Sequence, residues 1–79
     1  MTFGEAVAAR IEELCKEQGI SINKLALLSG LTQSTVDSIL KGKSNNPKLI
    51  TLMRISRGLE MTICKFLDDP KIEDADLGE

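Results

Sequence analysis

The sequence predicts an all-α fold, a compact bundle of five helices, and three observations carry that reading. Apolar residues recur at helical spacing along most of the chain, as in Val7, Ile11 and Leu14. Hydroxyl residues framed by apolar ones mark helix starts at three separate places. Leu, Ile and Ala dominate the apolar residues, and Phe3 and Phe66 are the only aromatics, a composition that favours helices over sheets.

The first helix is expected over Thr2 to Gln18. Thr2 caps it, Glu5 three positions later completes a capping box, and Gly19 supplies the left-handed stop. Three later segments repeat one local pattern: Ile20, Ser21 and Leu25; Leu31, Thr32 and Val36; Met61, Thr62 and Phe66. Each sets an apolar residue, a hydroxyl cap, then a second apolar residue five positions after the first, which is a hydrophobic staple around a cap. The second helix has room only for Ile22 to Ser29 before Gly30 and Leu31 intervene and Thr32 opens the third. Two short helices joined by a turn of about three residues, with glycine at the left-handed position, form a helix-turn-helix unit. Ala26 is small enough to let its two helices approach.

The third helix is expected from Gln33 to Lys41, with Val36, Ile39 and Leu40 inward and Gly42 as its stop. Gln33, Ser34, Asp37, Ser38 and Lys41 then form an outward surface that is polar and carries little charge. Lys43 to Asn46 reads as a polar loop. Pro47 leads into a fourth helix, Lys48 to Arg57, whose buried stripe is Leu49, Leu52, Ile55 and Leu59. A short fifth helix follows Thr62 and buries Ile63, Phe66 and Leu67. Residues 1–69 make one domain, and the acidic remainder, 70–79, reads as a disordered tail.

Charge is unevenly placed. The net charge of −2 resolves into +3 over residues 1–67 and −5 over residues 68–79. From Ser38 to Leu59 there are five Lys or Arg and no acidic residue, which suits phosphate binding as well as simple solvation. Histidine is absent, removing the commonest general base and metal ligand. Cys15 and Cys64 lack metal spacing and read as small buried residues of a reduced protein. No metal or other cofactor is therefore expected. With no basic leader ahead of an apolar run and no stretch of roughly 18 apolar residues, a cytoplasmic location is expected and no membrane partner.

With these residues in place, SINKLALLSGLTQSTVDSILKGKSNNPKLITLMRISRGLEMTICKFL resembles the phage Cro and repressor family of helix-turn-helix domains, the XRE-like or lambda repressor-like DNA-binding domains. The resemblance implies a five-helix bundle whose third helix lies in the major groove of duplex DNA. Gln33, Ser34, Asp37 and Ser38 fall where members read bases. Their chemistry agrees: glutamine can pair with adenine N6 and N7, serine with several bases, and aspartate with cytosine N4. Asn23, Lys41, Lys43, Asn45 and Asn46 fall where phosphates are held, with Lys48 nearby, and Thr35, if it faces outward, can supply either a methyl contact or a phosphate bond. Two departures stand out. Ile22 occupies a position where many members have a phosphate-binding glutamine, so that role either passes to Asn23 or is lost. Glu60 stands where many have glycine, which implies a differently built turn.

A homodimeric transcriptional repressor is the reading that follows, because two-fold pairing lets two recognition helices enter successive major grooves about 34 Å apart. Ile63, Phe66 and Leu67, or Ile50 and Met53, are its candidate contacts. Two alternatives stay open: a DNA-binding antitoxin whose acidic tail meets a protein partner, and a protein-interaction module that kept the bundle without DNA binding. Enzyme function is the weakest class, since no nucleophile and base pair is suggested and the core is too small to enclose a substrate.

Overall fold

In the computed structural model, residues 1–42 and 46–78 are described. They form six helices: α1 (Phe3–Gln18), α2 (Ile22–Ser29), α3 (Gln33–Leu40), α4 (Leu49–Gly58), α5 (Ile63–Leu67) and α6 (Pro70–Glu73). The cap residues behave as local chemistry dictates. Thr2 Oγ1 accepts from the Glu5 N–H at 3.1 Å while the Glu5 carboxylate accepts from the Thr2 N–H at 2.9 Å. Glu5 is thereby held below the usual carboxylate range, chiefly by the Thr2 backbone bond. Ser21, Thr32 and Thr62 cap α2, α3 and α5 by accepting from the N–H three residues on, without the reciprocal bond.

The core gathers Val7, Ile11, Leu14 and Cys15 of α1 with Leu25, Ala26, Val36, Ile39, Leu52, Ile55, Leu59 and Phe66. α2 lies most extensively on α4, and α3 packs on both α1 and α2. Gly58 makes the α2–α4 approach possible: a Cβ there would collide with the Ser29 Oγ and lie 3.2 Å from the Ser29 nitrogen. The Ser29 hydroxyl is buried there and has no hydrogen-bond partner among the described residues.

Several expectations need correction. Leu49 is 61% exposed, so the buried face of α4 begins at Leu52. As the first residue of the helix its Cβ points back past the helix end and away from the core. Cys64 is exposed rather than buried; it lies two residues from Phe66, which puts it on the opposite side of α5 once Phe66 is inside. Ile63 and Leu67 are only partly buried against the core. Glu60 lies in the turn between α4 and α5. With φ of 58° it takes the left-handed conformation that glycine favours.

The largest difference is at the acidic end, which was expected to be free. Asp69 Oδ1 accepts from the Lys71 N–H at 2.8 Å and Pro70 occupies the first helical position, so Asp69–Pro70 starts a further helix, α6. Ile72 is 9% exposed, and α6 lies on α1. Beyond it, Asp76 forms a parallel bridge with Thr2. Arg10 ties the arrangement together. Its Nε and Nη2 donate to the Phe66 and Lys65 carbonyls, both at 2.9 Å, while Nη1 lies 3.3 Å from Asp69 Oδ2. Lys71 Nζ lies 3.1 Å from Glu13 Oε2 and 3.3 Å from the Asp69 carboxylate.

Candidate nucleic-acid interface

The site is built on α3. Thr32 opens the helix by accepting from the Thr35 N–H at 3.2 Å, and Val36 and Ile39 fix its inner side. With those two inward, the 100° step per residue turns Ser34, Ser38 and Lys41 outward. Gln33, Ser34, Thr35, Ser38 and Lys41 are exposed, and Asp37 is half-buried. The Thr35 Oγ1 lies 2.9 Å from Thr32 Oγ1, so this hydroxyl is partly engaged in the cap.

A shallow depression runs beside this helix. It brings Thr35 and Ser38 of α3 together with Asn46, Lys48 and Thr51. Lys48, which lines the depression, is the N-cap of α4 and makes no side-chain capping bond. Thr51 was not among the predicted residues. Its position one turn after Lys48 was the available signal.

Other predicted residues stand apart from that group. Asn23 is exposed on the first turn of α2, while its neighbour Ile22 turns inward and packs against the core, which explains why position 22 is not polar. Lys41 caps the end of α3 and borders a separate depression with Glu5 and Glu12 of α1. Those carboxylates oppose its attraction for phosphate. Lys43 and Asn45 lie outside the described residues.

Similarity to known proteins fits this geometry. A helix-turn-helix family model, HTH_3, matches residues 11–66. The chain belongs to the HTH_3 helix-turn-helix family. It is 31% identical over 71 residues to the HTH-type transcriptional regulator PuuR of Escherichia coli, covering 90% of this chain and 38% of PuuR. It is 30% identical over 63 residues to the HTH-type transcriptional regulator SinR of Bacillus subtilis, covering 80% of this chain and 57% of SinR. The chain therefore spans well under two thirds of these relatives.

Among solved structures, the N-terminal DNA-binding domain of SinR superposes with a TM-score of 0.73 at 30% identity, covering 81% of this chain and 93% of that domain. The prophage Lp1 protein 11 superposes with a TM-score of 0.79 at 33% identity, covering 91% and 95%. An HTH_3 family transcriptional regulator from Vibrio cholerae gives a TM-score of 0.77 at 29% identity, covering 87% and 38%. PuuR and SinR are both named as HTH-type transcriptional regulators. Among the described residues no helix is long and apolar enough to cross a membrane.

Proposed function

We propose that this chain binds duplex DNA sequence-specifically as the reading domain of a transcriptional regulator, acting as a repressor. One observation carries the reading: α3 presents an exposed polar face, no other described element covers it, and it is flanked by cations from a run without acidic residues. In the major groove, Gln33 would pair with adenine and Ser34 and Ser38 with neighbouring base edges, while Asp37 accepts from cytosine or repels a misplaced phosphate. Thr35, Asn46 and Lys48 would hold one strand and Asn23 the other, with Lys41, Lys43 and Asn45 completing the phosphate set. Phosphate contacts supply most of the affinity, and α3 supplies the choice of sequence.

A single α3 reads only a few base pairs, so the regulator works as a homodimer on a two-fold-symmetric site, in the cytoplasm. The acidic segment after Leu67 keeps negative charge on α1, away from the phosphates. Selection of bound duplexes from a random pool tests the reading. Enrichment of a palindromic site with affinity that falls steeply as salt rises is the expected result, and failure to enrich any sequence sinks it.

A further inference from the structure

The outer side of α2 carries a feature that DNA reading does not use. Leu25, Ala26 and Ser29 face the core, and Leu27 lies about 150° round the helix from their centre. Leu27 is 74% exposed and its neighbour Leu28 is 49% exposed. A short surface helix ordinarily fills such positions with polar residues, and two adjacent leucines there lower solubility without adding to the core. Phosphate gains nothing from aliphatic contact.

Cations frame the pair. Lys24 lies one turn before Leu28 on α2 and is exposed. Arg54 reaches over from α4, its Nη1 3.5 Å from the Gly30 carbonyl. Arg57 adjoins Gly58, where α4 touches the Leu28 backbone, and is also exposed. Neither α2 nor α4 contains an acidic residue. The charged residues on α2 and α4 are thus all cationic, and Glu60, which shares a depression with Arg57, lies beyond the end of α4.

We propose that the Leu27–Leu28 face of α2, with Lys24, Arg54 and Arg57 as its rim, docks an acidic segment of a different protein that carries aliphatic side chains. Charge complementarity selects this occupant. A two-fold contact with a second copy would set each cationic rim against its twin. The chain's own acidic end is occupied elsewhere, with Ile72 buried on α1 and Asp69 paired to Arg10. A membrane surface is a poor match, because interfacial helices insert a long apolar face and α2 has eight residues. In the docked state the leucines fill the partner's apolar side while its carboxylates meet the rim. The inference is independent of the DNA reading.

The test pans a displayed library of random helical peptides against the full chain. Recovered peptides should combine an excess of Asp and Glu with at least two aliphatic residues on one face. The chosen probe peptide should lose about tenfold in affinity against Leu27→Ser/Leu28→Ser, a change near the cost of emptying a small hot spot. It should also weaken severalfold between roughly 0.1 M and roughly 0.4 M salt. Arg54→Glu/Arg57→Glu keeps the leucines and should weaken the same peptide, so a folding defect in the leucine variant does not decide the matter. The proposal fails if recovered peptides have no acidic excess, or if both double variants bind the probe like the parent. It fails equally if the leucine pair governs self-association or binding to phosphatidylglycerol vesicles instead.

Discussion

Gln33 has a side chain that both donates and accepts, stands at the exposed start of α3 and makes no side-chain hydrogen bond to another described residue that would have to be broken on binding DNA.

 Truncation at Gln33 leaves the helix intact, since Thr32 and not Gln33 forms the cap, and on the proposed reading it removes a base contact. Gln33→Ala should cost roughly 1–3 kcal/mol on the selected duplex and much less on random duplex. Equal losses on both, in a fluorescence titration, would remove Gln33 from the base-reading set. Glu60 offers a test of a different kind. Its φ of 58° places an L side chain in the left-handed region, and its side chain is exposed, so the conformation is imposed by the turn between α4 and α5. Glu60→Gly relieves that strain at the cost of a freer unfolded chain, for a net gain of about 0.5–1 kcal/mol. Thermal unfolding should then shift upward by roughly 2–8 °C, and an unchanged or lower midpoint would show that the turn carries no strain.

Elements built from neighbouring residues were legible in the sequence, and those decided by distant partners were not. The caps at Thr2, Ser21, Thr32 and Thr62 are fixed by bonds to residues three positions on, so α1, α2, α3 and α5 start where the residue pattern places them. The exposed residues of α3 follow from the same periodicity once Val36 and Ile39 are inside. Thr51 escaped because its place beside Thr35 and Ser38 depends on the tertiary placement of α4, its spacing from Lys48 being a local signal only. α6 escaped because its composition reads as solvated, while its position is set by Arg10, 59 residues before Asp69 in the chain. Burial pushes the Asp69 carboxyl up, but bonds from the Lys71 N–H and ammonium and the charges of Lys71 and Arg10 outweigh it and hold the group below its ordinary value. A depressed carboxylate in the folded state stabilises the fold above the unfolded pKa of about 3.9, and that stability disappears as pH falls through the lower folded value. Asp69→Asn should therefore lower stability near neutral pH and narrow its gap from the parent as the solution is acidified below about pH 4. Denaturant melts across that range would refute the clamp if the gap stayed constant.

Across the whole molecule the charges are segregated, with cations between Ser38 and Leu59 and acidic residues on α1 and in the segment from Asp68 onward. Such a distribution orients the protein on a polyanion even though its net charge is −2, because the nearby cations are screened less than the remote acids over a Debye length of about 8 Å. Lys48 is the residue that isolates this effect. It borders the depression beside α3, and because it makes no side-chain capping bond, truncation leaves the start of α4 unchanged. Lys48→Ala should keep the melting temperature of the parent yet weaken binding to selected and random duplexes alike. On a plot of log affinity against log salt, the slope should fall by about 0.9 for each Lys48 that meets a phosphate, hence by nearly twice that for a dimer on a two-half-site duplex. The random duplex acts as the internal control, since a phosphate contact carries no sequence preference and a base contact does. An unchanged slope on both would place Lys48 outside the phosphate set and leave the cation run from Ser38 to Leu59 as a solvated face.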